Sequence, residues 1–541
     1  MAEPPSRITL DEALASTLSH NPSIKLQKGS VRASEGVYRR GVGQFDFSIQ
    51  SSLSRGFVRT PYLNTPPTEP GAPNPTLSPA AAAILAELYR LQFEEYRASQ
   101  LAYARTPVLM SYSDSVGYSL GATQQSRFGP TFNPVLSAQH SDLHSNPDGG
   151  ATGSIQFNIN IPLLRGAGYQ AVTANERAAK AQMQAARETL THTTSQQLYA
   201  TTAAYWTALG AEKSLNLARE SEQRAAKLVE VTQALIAGGA QPSAQLQNVQ
   251  ANYESAGAIR IVAEQALSQA VQNLATAMGL DPVNLVDPPF PTTEFPRTQK
   301  PPTYSKAQLS DLIAVALNAR ADVRAAQRSM ESSEILVVGA KNGLLPQLDL
   351  HLSMGFNGVS PGSRFRHHYA SATDNLAGLN VLGVVSLELP VTNNAARGTY
   401  EQALGSRDQF DASLTQIKMR IGSDTVTNAL GVGRAWNELS KRIEATANYA
   451  TAVGNQLKLF KLGSATLVDV VTTQQNLSEA EQNEIQARVN LFVSLASLRF
   501  SIGALSAATD GTFTLSPAEI SSAPLPSTAA QPKAPILKTK R

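Results

Sequence analysis

Lys461-Leu462-Gly463-Ser464-Ala465-Thr466-Leu467-Val468-Asp469-Val470 is the stretch that decides the fold. It stands between two long segments without proline, roughly 397–461 and 467–500, in which apolar residues recur every three or four positions. That pattern is a helical hairpin. Gly463 is expected to end the first helix in a left-handed conformation, and Thr466 with Asp469 three residues on has the spacing of a capping box. At about 1.5 Å per residue, a helix of about 65 residues is on the order of 100 Å long. A compact globular domain has no room for such a rod.

The hairpin has a twin at Gly238-Gly239-Ala240-Gln241-Pro242. Long helices are expected over about 167–237 and 243–278 on either side of it. Leu228, Val231 and Leu235 on the outgoing helix, with Val249, Tyr253, Val262, Leu267, Val271 and Leu274 on the return, form the stripe of an antiparallel pair. Each outgoing helix is longer than its return. The gap suits the shorter helices that end near Gly43 and Gly343, stacked end to end with the returns.

Upstream of each hairpin the chain repeats itself. Leu10 through Phe57 aligns with Leu309 through Phe356 at a constant offset of 299 (309 − 10), an internal duplication. Each copy opens on a capped short helix, Thr9 with Glu12 and Ser305 with Gln308, and continues into a second helix of roughly 20 residues. The apolar period then changes to two. Phe45, Phe47 and Ile49 alternate with polar residues, as do Leu348, Leu350 and Leu352; partner strands end at Ile155, Phe157, Ile159, Ile161 and at Val385, Leu387, Leu389. One apolar and one polar face suit a strand with lipid on one side and water on the other, or a half-buried strand of a soluble sheet.

This organisation divides the chain into a first repeat over 1–280, a Pro-rich linker over 281–304, a second repeat over 305–505 and a flexible basic tail over 506–541. The first repeat carries a large insertion at about 59–150, with a helix-forming stretch near 80–104 and strand-like pieces near 116–123 and 135–139. It is expected at the strand ends away from the helices; the alternative is an extra pair of strands in the sheet.

Composition excludes several classes. Forty-five basic against 42 acidic residues give a net charge of +3, too weak to argue for nucleic acid. No cysteine is present, so there is no disulfide framework and no thiolate metal site. The apolar runs near 80–86 and 335–340 fall far short of the ~18 residues of a spanning helix, so any membrane crossing is by strands. Met1-Ala2-Glu3-Pro4-Pro5 lacks the pattern of a secretory leader, and a processed or truncated start is the expectation. Gly358-Val359-Ser360-Pro361-Gly362 matches a nucleophile elbow, but no helical period is read after it, so it is taken as a loop. His140 with His144, and His367 with His368, are likewise placed in loops without acidic or thiol partners. No catalytic residue, cofactor or metal is expected.

The chain resembles the TolC-type outer-membrane efflux protein family over about residues 7–505. The resemblance is carried by Ile8-Thr9-Leu10-Asp11-Glu12-Ala13-Leu14 before Asn21-Pro22, by Ile161-Pro162-Leu163-Leu164-Arg165-Gly166, by Gly343-Leu344-Leu345-Pro346-Gln347-Leu348, and by Gly463-x-x-Thr466-x-x-Asp469-Val470. It implies an α+β membrane protein, a homotrimer in which four strands per chain complete a twelve-stranded barrel continued by a helical tunnel in the periplasm. It also implies a passive exit duct, not an enzyme, working with a periplasmic adaptor protein and an inner-membrane transporter, its strands facing outer-membrane lipid. The periplasmic gate implied is Asp469, Thr472, Phe460 and Gln245, with Thr472 where an acid is usual and Phe460 where a tyrosine is usual. The tips implied to meet the adaptor are Gly239, Ala240 and Gln241 and Gly463, Ser464 and Ala465. The competing class is a non-transport coiled-coil structural or surface protein.

Overall fold

The computed structural model describes residues 7–63, 65–72, 78–105, 108–143, 146–239, 242–292, 294–296, 300–362, 365–374, 376–462, 464–505, 519 and 522–524. In chain order the elements are β1 (Arg7–Ile8), α1 (Leu10–His20), α2 (Pro22–Gly43), β2 (Ser48–Leu63), α3 (Pro79–Arg105), β3 (Val108–Gln125), β4 (Thr131–Leu143), β5 (Asn146–Pro162), α4 (Tyr169–Val172), α5 (Ala174–Ala237) and α6 (Gln245–Met278). They continue with β6 (Phe290–Pro291), α7 (Lys306–Ala319), α8 (Ala321–Asn342), β7 (Gln347–Pro361), α9 (Phe365–Thr373), β8 (Leu376–Glu388), α10 (Asn394–Lys461) and α11 (Leu467–Ser501). The chain forms two compact units. One comprises Met1–Gly41, Glu176–Val337 and Gln402–Arg541; the other comprises Val42–Asn175 and Val338–Glu401.

The second unit is built on one antiparallel sheet ordered β2-β3-β4-β5-β7-β8. It holds six strands, not the four expected, because the insertion contributes β3 and β4. β2 therefore does not pair with β5. It pairs with β3 from Ser48↔Thr123 to Leu63↔Val108, while β5 pairs with β4 and β7. Cross-strand partners share a face, so Ile155, Phe356 and Leu379 form one apolar row, and Phe157, Met354 and Val381 the next. Asn158 with Ser353, and Asn160 with His351, lie in the alternate rows. The apolar side chains stay exposed, Val381 at 72% and Leu53 at 78%, and β2 and β8 end the sheet with unpaired edges. α9 packs on β4, β5 and β7. Gly153 permits this, since a Cβ there would stand 2.5 Å from the Ser371 carbonyl oxygen.

The first unit is helical. The three expected capping boxes are formed, at Thr9 with Glu12, Ser305 with Gln308 and Thr466 with Asp469. α5 runs for 64 residues beside two shorter helices. Arg187 of α5 binds Glu35 of α2 at 2.7 Å, and Glu222 of α5 accepts from Arg260 of α6 at 2.7 Å. Between these points Asn21 joins the shorter pair, its Nδ2 donating to the Ala277 carbonyl at 2.8 Å. Gly279, left-handed at φ +76, gives Asn21 room, because a Cβ would come within 2.6 Å of Asn21 Cα.

The unit's main core centres on Trp206, which stacks on Phe492 at 4.9 Å and on Phe295 at 6.0 Å, the two phenylalanines themselves stacking at 5.6 Å, with Tyr205 edge-on at 5.4 Å. Three residues of the C-terminal segment join it. Arg499 donates to the Ser522 carbonyl at 3.1 Å, Tyr304 donates to the Pro524 carbonyl at 2.9 Å, and Ala523 packs on the core. Burial pushes the Tyr304 phenol up and the Arg499 guanidinium down.

Candidate functional site

The two hairpin ends differ in local chemistry: α6 starts after Ala244 without a side-chain cap, whereas α11 starts on the Thr466 capping box. Gly239 adopts φ +75 after α5, a conformation that favours glycine. At the other turn the Ser464 amide reaches back to the Leu459 carbonyl at 2.9 Å, the bond that closes a Schellman-type helix end. Ala240, Gln241 and Gly463 lie outside the described residues, so the expectation placed on the Gly463 conformation does too.

Beside these turns a small apolar cluster gathers Leu228, Val249, Phe460, Leu467 and Val470, one or more from each of α5, α6, α10 and α11. Phe460 is 8% exposed. Its ring thus holds the two hairpins together from inside. Asp469 is exposed and completes the capping box: its carboxylate accepts from the Thr466 amide at 2.9 Å and the Thr466 hydroxyl at 2.6 Å, and its own amide donates back at 3.2 Å. The hydrogen bond from the Thr466 hydroxyl, then that from its amide, hold the carboxyl below its ordinary range. Thr472 is exposed one turn further on. Gln245, at the first turn of α6, has a buried Oε1 without a hydrogen-bond partner among the described residues. The structure therefore places Phe460 in the cluster, while Asp469 and Thr472 lie on the surface. Ala465 packs against the cluster and Ser464 is exposed.

Above the cluster, polar bridges cross between the helices beside buried Ala225, Leu477 and Ala480, and no local sequence pattern marks them. Gln475 donates to Asn252 at 2.8 Å, Ser221 and Ser478 hydroxyls meet at 3.0 Å, and Arg224 reaches Glu481 at 3.1 Å. Their signal is faint, because each partner lies more than 200 residues from the other. They border a groove of about 620 Å³ between α5, α6 and α11, lined by Ala218, Ala256, Ile259, Val262, Gln482 and others. At its far end Gly210 touches Val489 closely enough that a Cβ would overlap the valine methyl.

The nucleophile-elbow reading fails for a different reason than expected. A helix, α9, does follow the motif, but Ser360 lies within β7 opposite Ala151 and is 4% exposed. Its hydroxyl meets His367 Nδ1 at 3.1 Å, while Arg366 faces the other ring nitrogen. Among the described residues no carboxylate orients the imidazole, as such a triad requires. The histidines expected in loops sit on elements: His140 on β4 and His368 on α9, with ring centroids 5.1 Å apart. His144 lies outside the described residues. No cluster of three metal-ligating side chains occurs among the described residues.

A sheet apolar on one side and long paired helices together define an architecture known from channels. The crystal structure of the Campylobacter jejuni CmeC outer membrane channel superposes with a TM-score of 0.64, covering 93% of this chain and 86% of that one at 13% identity. The outer-membrane channel OprN gives 0.63, with 91% and 89% covered at 15% identity. At these identities the likeness is one of fold.

The family is fixed by sequence. The model described as "Outer membrane efflux protein" matches residues 120–280 and 312–504. The chain belongs to that family, whose members are channels and not enzymes. Outer membrane protein TolC of Escherichia coli (strain K12) is 23% identical over 353 residues, which span 62% of this chain and 66% of that protein. The match thus falls just short of two thirds of the relative's length.

Proposed function

We propose that this chain forms a trimeric, passive exit duct through the outer membrane. The observation that carries the reading is the open sheet: six strands with an exposed apolar face and two unpaired edges cannot close alone. Copies joined edge to edge through β2 and β8 remove the edges. Three copies would assemble eighteen strands (3 × 6), in place of the twelve that four per chain would supply. The helical units would then line a periplasmic tunnel. That α2 and α8 each have 22 residues and begin 299 apart (321 − 22) supports two structural repeats, at 1–280 and 305–505, with 281–304 linking them.

In this reading the hairpin ends form the tunnel mouth. Three Asp469 carboxylates ring it and favour cations, with Thr472 a turn behind and Gln245 at the first turn of α6. Phe460 works by packing, holding the hairpins shut. The turns Gly239-Ala240-Gln241 and Gly463-Ser464-Ala465 meet a periplasmic adaptor, through which an inner-membrane transporter supplies the energy. The test is reconstitution in a planar bilayer. The expected result is a trimer with cation-selective conductance that Asp469→Asn reduces. A monomer without conductance refutes the duct; unchanged selectivity in Asp469→Asn refutes the gate alone.

A further inference from the structure

We propose that α9 lies in the headgroup layer of the membrane, on the outside of the sheet, where Tyr369 and Arg366 contact phospholipid headgroups. The inference rests on the reading that the apolar face of the sheet meets lipid. Register fixes where the helix sits. Gly153, Ile155 and Phe157 alternate with Ser154 and Gln156, so Gly153 belongs to the apolar face. His140, Ala151 and Ser360 form the next row outward on that same face. α9 meets this face at three points: Ser371 and Ala372 close over Gly153, the His368 ring stands 5.1 Å from that of His140, and His367 Nδ1 lies 3.1 Å from the Ser360 hydroxyl. The polar face is the concave one. Hollows of about 470 and 350 Å³ open on it, one bordered by Ser52, Ser119 and Ser154 and the other by Asn133, Asn158 and Ser353. α9 therefore packs on the convex side, the side a closed barrel turns to lipid.

The helix also sits at the right depth. On β7 the apolar face runs from Leu348 to Gly358, eleven residues (358 − 348 + 1), and a spanning strand takes about 9–11. Over these rows no strand places a charged residue on this face among the described residues. The first is Arg55, in the row of His140 and Ser360. Exposed aromatics mark both ends of the apolar rows, as girdles do in barrels. Tyr118 shares the row of Gly153, and Phe128 stands 5.9 Å from Tyr169 at the opposite strand ends. The side of α9 turned away from the strands suits that layer. Arg366 and Tyr369, three residues apart, share it, and Tyr369 is 64% exposed. A tyrosine joins an apolar ring to a polar tip, which places it at headgroup depth, and a guanidinium fits the oxygens of a phosphate.

The absence of cysteine allows labelling at one site. Full-length Tyr369→Cys, Phe157→Cys and Ser154→Cys each receive a fluorophore and are reconstituted in phosphatidylcholine vesicles whose acyl chains are brominated close to the headgroup or close to the tail end. Shallow bromines are expected to quench Tyr369→Cys at least threefold more than deep ones, deep bromines to quench Phe157→Cys in the middle row, and neither to quench Ser154→Cys on the polar face. Quenching at Phe157 with none at Tyr369 overturns the inference and leaves the lipid-facing sheet standing. No quenching at either position overturns both. Arg366→Gln added to the labelled Tyr369→Cys chain is expected to lower its quenching at least twofold; unchanged quenching overturns the contact assigned to Arg366.

Discussion

The same four helices, α5, α6, α10 and α11, are held by two clusters of opposite character. Around Trp206 the main core buries twenty-nine apolar residues, stacked aromatics among them; near the turns only five are buried, four aliphatic and one Phe460. Between the clusters the helices meet through Ser221, Arg224, Gln475 and Ser478 and through mostly small buried side chains such as Ala225 and Ala480, and flank a groove. Burial of apolar area is what resists opening, and polar bridges exchange readily for water. One end of each hairpin is thus anchored and the other is free to yield, as local stability in folded chains commonly varies.

The strongest way to break this contrast is to truncate both anchors. Trp206→Ala is expected to cost about 3–5 kcal/mol and to lower the thermal midpoint of the whole helical unit. Phe460→Ala should leave that midpoint nearly unchanged and speed amide hydrogen exchange only near the turns. Equal effects of both on the midpoint would abolish the distinction. A smaller effect sharpens the boundary between the regions. Gly210→Ala overpacks the contact with Val489 and should cost about 1–3 kcal/mol, and Val489→Ala in the same chain should restore most of it.

The smallest effect is in pH dependence. Half-buried His192 beside Asp322 and Arg320 has its pKa lowered from 6.5, chiefly by desolvation, so its contribution is present above pH 6.5 and is lost as pH falls through the folded value. Asp469 is lowered from 3.8, so its contribution is present above 3.8 and is lost below it. Hydrogen exchange followed on acidification should loosen the His192 region first and the turns only under stronger acid. His192→Asn should remove the first step and Thr466→Ala should weaken the second.

Much of this was readable from residues alone. All three capping boxes need only a hydroxyl and a carboxylate or amide three residues apart, and the long helices need only sustained periodicity. The pairing of β2 was not readable. β3 runs Val116-Gly117-Tyr118-Ser119-Leu120-Gly121 and β4 runs Val135-Leu136-Ser137-Ala138, with small residues diluting the alternation, and the partner of Ser48 lies 75 residues away. α9 was hidden by its nine residues, too few for a period to register. Near the turns the types of residue could be read but not their side. Phe460 faces the cluster because four helix ends converge there, and convergence is a property of tertiary packing that no local pattern encodes.

The docking of Ser522, Ala523 and Pro524 separates two kinds of boundary. The family-model match ends at residue 504, yet Arg499 and Tyr304 find their carbonyl partners some twenty residues later. A chain ended at residue 504 would lose the carbonyls that accept from the Arg499 guanidinium and the Tyr304 phenol. The physical end of the helical unit is therefore later than the end of the family match, and shortening this protein at residue 504 would unmake a joint that the match does not cover.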